Sequence, residues 1–470
     1  MKKAKLTFAG GAGGPTGANF LFETIDGSAS LTTGSSASLT TGKKILIDCG
    51  LTQGGEHDDE LNREPFAYDP ASIDALFVTH AHLDHIGRIP ILVKNGFRGR
   101  IYSTPPTRDI VELTFADALS IMDHESRQKQ KEPLYNSDDV RETLSLWEGV
   151  KYGQSIAVSD DLNIIFRDAG HVLGSAMVEV SYGTKKMLFT GDLGNSPSPL
   201  LRDTEYVPGI DYLLMESVYG DREHEKIEDR RNFLEEAIQK TIKDKGVLIV
   251  PVFSLERTQV LLFEINELVE HGRIEEIPVF LDSPLGIKIT EVYKKYESYF
   301  NANAQAIIKS GDDIFKFPRL RFTRDAMESK SIHAIPPPKI VIAGSGMSNG
   351  GRILHHEKDY LPNPKNTLLL IGYQAAGTPG RLLEEGEKKV RIYGEEVNVQ
   401  ARVLSISGYS AHRDTNGLLE FVEAMKDDVK KVFVVMGEPK ASSFLSQRIH
   451  DYLGLKAFVP KRGESVELEF

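Results

Sequence analysis

The chain has 470 residues, of which 40% are hydrophobic and 26% are charged. These proportions are typical of folded globular proteins, so they exclude wholesale disorder, collagen and a long coiled coil. Lys and Arg number 56 and Asp and Glu number 68, so the formal charge is −12. This balance excludes a surface that coats nucleic acid through net positive charge. The length predicts about three domains, or two large ones.

The chain contains a single cysteine, Cys49. An intrachain disulfide and a cysteine-based zinc cluster are therefore excluded. The first residues, MKKAKLTFAGG, lack the apolar run of a signal peptide, and no apolar stretch approaches the length that crosses a bilayer. We therefore expect a soluble, cytoplasmic protein that does not bind membranes.

Short alternating segments open the chain. LTFAG, NFLFET and KKILIDCG predict strands of one sheet joined by glycine-rich turns. The segment SASLTTG occurs at 28–34 and again at 36–42. Its composition predicts a surface loop rather than a repeat fold, because two copies cannot bury a core. Further strands are predicted at 75–80, within 162–194 and at 212–217, and a helix is predicted at 108–130.

The middle of the chain has a different pattern. The apolar runs GVLIVPVF, IPVFLD, KIVIAG and TLLLIGY alternate with helical patterns such as 229–237 and 258–271. This alternation predicts a mostly parallel sheet with helices on its faces. The tail returns to strand patterns at ARVLSIS and KKVFVVMGE, with a helix over 414–425 between them. The first part and the tail share the same pattern of short strands, which differs from the pattern of the middle. This difference predicts that a domain is inserted between them.

The strongest chemical signal is THAHLDHIG, which directly follows an apolar strand. Its candidate metal ligands are His80, His82, Asp84 and His85. Two histidines two residues apart on an extended segment can converge on one metal ion, and the Asp and His that follow can turn toward a second. Imidazole and carboxylate together suit zinc. A chance surface cluster is the alternative, but the chain has only 13 histidines, which disfavours it.

Three further polar residues follow apolar strands in glycine-containing turns. They are His171 in DAGHVLGSA, Asp192 in FTGDLG and Asp48 in ILIDCG. Loops at strand ends are where a rigid scaffold presents ligands, so His171 and Asp192 are further candidates for the metal site. Asp48 is expected to orient a ligand. Each of these residues, taken alone, is an ordinary polar loop residue.

Together these residues resemble the metallo-β-lactamase superfamily. Motifs in the rest of the chain are similar to its β-CASP branch, which includes the endonuclease subunit of the cleavage and polyadenylation specificity factor and short bacterial and archaeal RNA-processing relatives. The matching segments are MESVYGDREH, PVFSLERTQ, LDSPLG, GSGMSNGGRILHH and SGYSAHRD. The resemblance implies an α/β fold. A metallo-β-lactamase αββα sandwich would be formed by residues 1–216 and 403–470, with an inserted α/β β-CASP domain at 217–402.

The resemblance also implies how the site residues are used. The residues that would hold the first zinc are His80, His82 and His171. The residues that would hold the second zinc are Asp84 and His85, and Asp192 would bridge the two ions. Glu216 matches the acidic residue of the family's motif A, and His412 matches the histidine of motif B.

The expected chemistry is hydrolysis of a phosphodiester by a metal-bound hydroxide. His412, oriented by Glu216, is the candidate general acid for the leaving sugar hydroxyl, and the product would carry a 5′-phosphate. Asp84, Glu216 and His412 are accordingly the expected catalytic residues.

Substrate contacts are expected from a second group of residues. Ser345 and Gly346 lie in GSGMSNGG, whose unhindered backbone can approach a phosphate, with a flexible turn as the alternative. Arg257 and Arg352 are candidates for phosphate contacts, with ion pairs as the alternative. Ser410, beside motif B, completes this set.

The chain departs from the family at motif C. RNA-processing members have a histidine there as an additional ligand of the second zinc, whereas this chain has Met436 in VVMGEPKAS. A thioether is a poor zinc ligand, so we expect the second zinc to bind more weakly or to be completed by water. DNA-acting members also have an apolar residue at this motif, but Glu216 favours RNA.

The expected function is therefore a zinc-dependent ribonuclease, endonucleolytic, 5′-exonucleolytic or both, that acts on single-stranded RNA. Three alternatives stay open: a hydrolase of a small ester, thioester or lactam, a DNA-acting protein, and a nucleic-acid-binding protein with a crippled site. The inserted domain and the Glu216–His412 pair disfavour the small-molecule hydrolase. Protein partners and oligomeric state, a homodimer included, are left open.

Overall fold

The computed structural model describes residues 2–25, 42–55, 57–129, 132–372, 374–375 and 377–470. The duplicated SASLTTG segment lies outside these residues, except for Gly42. The chain divides into two compact units. The ranges of the first unit are Met1–Ser196, Asp203–Glu223 and His412–Phe470, and those of the second are Pro197–Arg202 and His224–Ala411.

The first part of the first unit contains eleven described strands and five described α-helices. The strands are β1 (Lys3–Gly10), β2 (Asn19–Ile25), β3 (Lys44–Ile47), β4 (Ala75–Phe77), β5 (Arg100–Ser103), β6 (Trp147–Gly149), β7 (Ser155–Ala157), β8 (Leu162–Asp168), β9 (Ala176–Tyr182), β10 (Lys185–Phe189) and β11 (Tyr212–Met215). The helices are α1 (Asp58–Arg63), α2 (Leu83–Ile86), α3 (Ile89–Lys94), α4 (Pro105–Lys129) and α5 (Ser137–Ser145).

The second unit alternates strands and helices, as its sequence pattern predicts. Its strands are β12 (Val247–Pro251), β13 (Val279–Asp282), β14 (Leu320–Phe322), β15 (Lys339–Ala343), β16 (Thr367–Ile371), β17 (Lys389–Ile392), β18 (Glu395–Asn398) and β19 (Arg402–Ile406). Its helices are α6 (Ile227–Asp244), α7 (Arg257–Glu270), α8 (Pro284–Lys295), α9 (Ala302–Lys309), α10 (Ala326–Ser331), α11 (Ile353–Tyr360) and α12 (Pro379–Glu384).

The tail of the chain returns to the first unit. Its elements are α13 (Thr415–Glu423), β20 (Lys431–Val434), α14 (Pro439–Leu453), β21 (Ala457–Phe458) and β22 (Ser465–Glu469). Two seven-stranded sheets result, with the orders β22-β1-β2-β3-β4-β5-β6 and β21-β20-β11-β10-β9-β8-β7. Residues of β1 alternate between buried and more exposed positions, because successive side chains of a strand point to opposite faces of the sheet.

The two sheets of the first unit pack face to face through one apolar core. The ring of Phe8 on β1 lies 5.6 Å from that of Phe433 on β20, measured between centroids. The rings of Phe20 on β2 and Phe189 on β10 are 6.4 Å apart. Helices α13 and α14 pack on the outer face of the second sheet, and α4 contacts β6 of the first. The αββα sandwich implied by the sequence is confirmed.

The second unit is built on a six-stranded sheet with the order β14-β13-β15-β12-β16-β19. All its strand pairs are parallel. Every residue of β12, β15 and β16 is buried, as expected for parallel strands that are covered on both faces. Strands β17 and β18 form a separate antiparallel pair. The predicted parallel sheet with helices is therefore present.

The limits of the second unit differ from the predicted limits of 217–402. The tail segment ARVLSIS forms β19, which pairs with β16 along its whole length and so extends the second unit to Ala411. The segment Pro197–Arg202 also belongs to this unit, because Leu200 and Leu201 make backbone contacts with Asn301 and Phe300. Backbone pairing between segments far apart in sequence places ARVLSIS and Pro197–Arg202 in this unit, and local composition does not reveal it.

A buried carboxylate, Asp282 at the end of β13, ties together three segments of the second unit. Its oxygens accept hydrogen bonds from Thr323 (2.6 Å), Ser329 (2.6 Å), Arg352 (2.6 Å) and His356 (2.7 Å). Burial by itself raises the pKa of Asp282, but the bonds from His356, Ser329, Thr323 and Arg352 outweigh burial and leave this pKa below its usual range.

We expect Asp282→Asn to lower the free energy of unfolding of the second unit by about 3 kcal/mol at pH 7, because it breaks a buried charge pair. The folded pKa lies below the unfolded value of about 4, so the stabilisation is complete above that pH and is lost as the pH falls toward the folded pKa. Urea unfolding between pH 7 and pH 3 should give a shallower pH dependence for the variant. Identical slopes for both proteins would contradict this account.

None of the helices in the described part of the chain combines the length and apolar character needed to cross a bilayer.

Candidate metal centre

The sandwich brings the ends of six strands to one edge of the first unit. In one sheet, parallel strands β3 and β4 end just before Asp48 and His80. In the other sheet β10, β11 and β20 are parallel, and β8 runs in the same direction because both β8 and β10 are antiparallel to β9. Each of these four strands is followed by a loop that contains one residue considered above. The residues are His171 after β8, Asp192 after β10, Glu216 after β11 and Met436 after β20.

Three imidazoles and one carboxylate form the tightest cluster at this edge. One ligand atom from each of the four residues lies within 4.8 Å of every other, and the residues are His80, His82, His171 and Asp192. Nδ1 of His82 lies 2.9 Å from Nε2 of His80 and 3.4 Å from Nε2 of His171. Oδ2 of Asp192 lies 3.4 Å from Nε2 of His80 and 3.5 Å from Nε2 of His171. The four predicted ligands therefore face one small volume.

The other oxygen of Asp192 faces a second group. Its Oδ1 lies 3.4 Å from Nε2 of His85, which lies 3.8 Å from Oδ2 of Asp84. Both Nε2 of His85 and Oδ1 of Asp192 are buried and have no hydrogen-bond partner among the described residues. A cation between them would satisfy both atoms. The donor set of imidazoles and carboxylates thus fits a divalent metal ion.

The surroundings of the cluster shift the pKa values of His80 and His85 in opposite directions. Burial, reinforced by the charge on His85, lowers the pKa of His80, which favours the neutral ring that binds metals. Burial also disfavours charge on His85, but the carboxylates of Asp192, Asp48 and Asp84 outweigh it and raise the pKa of His85. The acidic groups thus make the surroundings of this ring favourable to positive charge.

The carboxylates respond to the same burial in opposite ways. Burial raises the pKa of Asp84 to about 6, although His85 opposes the shift. For Asp192 the raising effect of burial is outweighed by His85, His412 and His80, so its pKa lies well below the usual range. Asp192 is therefore the more strongly charged of the two carboxylates.

Asp48 contacts the ring of His85 at Nδ1, on the side away from the metal cluster. Its Oδ2 lies 2.8 Å from Nδ1 of His85 and accepts a hydrogen bond of 2.8 Å from the hydroxyl of Thr79, and its Oδ1 accepts one from the backbone N–H of Thr79. This arrangement leaves Nε2 of His85 directed toward the metal cluster. Sequence reasoning did not single out Thr79, although its position directly before His80 was an available signal.

Glu216 and His412 form a pair beside Asp192. Nδ1 of His412 lies 3.2 Å from both carboxylate oxygens of Glu216 and 3.9 Å from Oδ2 of Asp192. The backbone N–H of Leu193 donates a 2.6 Å hydrogen bond to Oε1 of Glu216. Burial raises the pKa of Glu216, although His412 opposes this effect. The His412 ring lies 4.6 Å from the His171 ring, so the pair adjoins the cluster.

Met436 belongs to the apolar core of the sandwich. Its side chain is 2% exposed and packs with the core residues between the sheets. The backbone has a φ of 49°, its N–H donates to the carbonyl of Gly11, and its sulfur occupies the space that a side chain on Gly11 would fill. The thioether is thus a packing group, and the groups suited to a metal are formed without it.

The backbone of Gly50 packs closely against the backbone of Asp84 and His85. A Cβ atom on Gly50 would overlap the carbonyl oxygen of Asp84 and lie 2.7 Å from the backbone nitrogen of His85. Gly50→Ala must therefore move the segment that carries both side chains, and we expect metal affinity to fall by about tenfold. Competition with a chromophoric zinc chelator measures this change. Gly14→Ala, where an added methyl meets open space, is the control, and equal affinities of the two variants would contradict the expectation.

The predicted substrate contacts all lie in the second unit. The hydroxyl of Ser345 donates to Asn349, and Gly346 packs tightly against Phe253. Arg352 pairs with the carboxylate of Asp282, which is the ion-pair alternative considered from the sequence. The side chains of Arg257 and Ser410 are largely buried. The contact of these five residues with substrate stays a prediction.

Family models match three consecutive parts of the chain. Residues 39–209 match a metallo-β-lactamase superfamily domain, residues 258–383 match a Beta-Casp domain, and residues 396–460 match a Zn-dependent metallo-hydrolase RNA specificity domain. A crystal structure of a protein of unknown function from Enterococcus faecalis is similar in fold, with a TM-score of 0.54 at 13% identity over 99% of this chain and 100% of that one.

Curated relatives match nearly the whole chain. Ribonuclease TTHA0252 of Thermus thermophilus is 36% identical over 94% of this chain and 96% of its own length. An RNase J-like protein of Methanocaldococcus jannaschii is 32% identical, over 89% and 93% respectively. The transcription termination factor FttA of Methanosarcina mazei is 30% identical over 90% of this chain, which spans 68% of that longer protein. On these matches, the chain belongs to the β-CASP branch of the metallo-β-lactamase superfamily.

Proposed function

We propose that this protein is a zinc-dependent ribonuclease that hydrolyses phosphodiester bonds of single-stranded RNA. The observation that carries the proposal is the meeting of His80, His82, His171 and Asp192 with the Glu216–His412 pair at one edge of the sandwich. The match to an RNA specificity domain and the ribonuclease among the relatives support RNA as the substrate.

The proposed roles follow from the positions of the side chains. His80, His82, His171 and Asp192 would hold the first ion. A divalent metal in this place lowers the pKa of bound water and neutralises charge that develops on a phosphate. The low pKa of Asp192 keeps its carboxylate charged, and the neutral state favoured for His80 leaves its ring nitrogen free to bind.

The second ion is proposed to rest on Asp84, His85 and the other oxygen of Asp192. Asp48 and Thr79 orient His85 for this role. Because Met436 is a core residue, three protein ligands remain, and we propose that this ion exchanges more readily than the first. Metal analysis supports this if zinc falls from about two to about one per chain after brief dialysis against a mild chelator. Equal retention of both ions would contradict it.

His412 is proposed to hold the proton that the leaving sugar oxygen needs. Its Nδ1 faces the carboxylate of Glu216, which orients the ring and favours its charged form. The side chain is 18% exposed, and Nε2 is the ring nitrogen that would donate this proton. Glu216 acts through His412 and is a positioning residue.

A single assay tests the proposed function. Purified protein is incubated with end-labelled RNA, matched single-stranded DNA and a chromogenic ester, with and without a chelator. We expect chelator-sensitive cleavage of the RNA and products with a 5′-phosphate. Ester turnover alone would instead indicate a small-molecule hydrolase, cleavage of the DNA alone would indicate a DNA-acting enzyme, and RNA binding without cleavage would indicate a binding protein.

A further inference from the structure

Helix α14 carries cationic and aromatic side chains in alternation along one side. The residues, spaced four apart, are Lys440, Phe444, Arg448 and Tyr452, and together they are called the α14 stripe. Residues four apart on a helix are neighbours, and each step turns about 40° around the axis. The stripe therefore winds about a third of the way around α14 and rises about 18 Å from its first to its last residue.

The aromatic residues of the α14 stripe are not needed for the core. The inner side of the helix packs through Leu445 and Ile449, which are fully buried. In contrast, Phe444 is 46% exposed and Tyr452 is 70% exposed. An aromatic ring held at the surface at this exposure offers a stacking face to a ligand.

Arg448 links the two rings. Its guanidinium carbon lies 6.0 Å from the ring centroid of Phe444 and 5.3 Å from that of Tyr452. Its Nη1 also donates 3.2 Å hydrogen bonds to Thr415 and Asn416 at the start of α13. The guanidinium is thereby held in place between the rings and needs little further ordering to bind a ligand.

The first turn of α14 contacts the loop that follows Glu216. Ser442, in the first turn of α14, lies 2.8 Å, between hydroxyl oxygens, from Ser217, which directly follows Glu216. The side chain of Lys440 in the same turn is 86% exposed. Lys440 Nζ lies 3.6 Å from the carboxylate of Asp221, so the first residue of the stripe adjoins the loop that follows Glu216.

The charges near the stripe favour a polyanion. Lys440 and Arg448 supply the cations, and the carboxylates of Asp221 and Asp451 are already engaged. Asp221 pairs with Arg222 and with Lys440, while Asp451 accepts from Gln447 and lies 3.2 Å from the ring of His450. Cations that track phosphates, interleaved with rings on which bases stack, are the chemistry of single-strand binding.

We propose that the α14 stripe binds the single-stranded RNA that flanks the phosphodiester being cleaved. Tyr452 and Phe444 stack on bases, and Arg448 and Lys440 contact phosphates. This inference rests on the proposed ribonuclease function and adds to it a binding surface outside the metal centre. The stripe lies within the segment that matches the RNA specificity domain.

Binding is measured by fluorescence anisotropy with an end-labelled, unstructured single-stranded RNA, in the full-length Asp192→Asn protein to prevent cleavage. We expect Tyr452→Ala to raise Kd at least about fivefold, because one base–aromatic stack is lost. Tyr452→Trp retains a stacking face and should keep the affinity. Arg448→Gln should reduce the slope of log K against log salt by about 0.7, since one phosphate contact is lost.

Two controls separate binding from folding and from chemistry. Tyr393→Ala removes an exposed tyrosine of the second unit and should leave Kd unchanged. Hydrolysis of bis(p-nitrophenyl) phosphate, which is too small to reach along α14, should be unchanged by the stripe variants in the otherwise wild-type protein. Their thermal unfolding should also match that of the parent protein.

The outcomes distinguish this inference from the proposed function. Chelator-sensitive RNA cleavage by the wild type, with unchanged RNA affinity in Tyr452→Ala and an unchanged salt slope in Arg448→Gln, would overturn the stripe alone. A wild type that neither binds nor cleaves RNA would overturn both. If sedimentation shows a dimer that Tyr452→Ala dissociates while the RNA affinity stays the same, the stripe is a contact between two copies of the chain and the inference is wrong.

Discussion

Replacement of Asp192 by asparagine is expected to lower kcat/KM for RNA hydrolysis by at least about 10³-fold, which corresponds to about 4 kcal/mol of barrier. Asp192 is the residue whose two oxygens face both groups of ligands, at 3.4 Å from His80 on one side and 3.4 Å from His85 on the other. An asparagine retains one of these oxygens and replaces the other with an N–H₂ group, which cannot bind a cation. Both proposed ions lose a charged ligand in one substitution.

The measurement combines steady-state cleavage with metal analysis. Zinc content per chain should fall with the activity, whereas the thermal unfolding of the metal-free proteins should change little. Asp161→Asn alters a carboxylate of the first unit that is 60% exposed and pairs with Lys2, and it should leave both quantities unchanged. If Asp192→Asn had the same zinc content and activity as the wild type, Asp192 would not be a ligand shared by two metal ions.

His412→Ala is expected to slow RNA cleavage by about 10²–10⁴-fold, the range for loss of a general acid. The ribose oxygen leaves poorly as an anion and needs a proton, whereas nitrophenolate leaves readily without one. The same substitution should therefore slow hydrolysis of bis(p-nitrophenyl) phosphate only a few-fold. This dependence on the leaving group separates proton transfer from metal binding, because lost metal affects both substrates.

Glu216→Gln is the matched variant for this test. It retains a hydrogen-bonding partner for Nδ1 of His412 but removes the charge that favours the protonated ring. We expect an intermediate loss on RNA and little change on the nitrophenyl ester. An equal loss on both substrates for His412→Ala would show that this histidine supports the metal centre and does not donate the proton.

Much of the site was accessible from the sequence because its signals are local. The four ligands of HAHLDH occupy six residues, and the structure brings three of them, His80, His82 and His85, within a few ångström of Asp192. The apolar runs that precede His171, Asp192 and Glu216 predicted strand ends, and those strands do end at one edge. Family membership and the αββα sandwich are confirmed as well, and both were implied by the resemblance of the ordered motifs to the family.

The role of Arg352 shows where such reasoning stops. Its neighbourhood in sequence is glycine-rich and suits a phosphate site, but its guanidinium pairs with Asp282, a residue seventy positions earlier in the chain. Met436 is similar, since its place in the motif suggests a metal site while its thioether packs in the core against Gly11. Neither contact leaves a local pattern.

The sequence by itself indicated candidate metal ligands, many of the strands and helices and the presence of an inserted parallel sheet, because ligand spacing and hydrophobic periodicity are properties of short segments. Only the tertiary structure decided that β19 joins the second unit, that His85 is the ligand that Asp48 orients together with Thr79, and that Arg448 lies between the exposed rings of Phe444 and Tyr452. These features depend on which distant segments pack together, and packing is selected by the burial and hydrogen bonding of the whole chain.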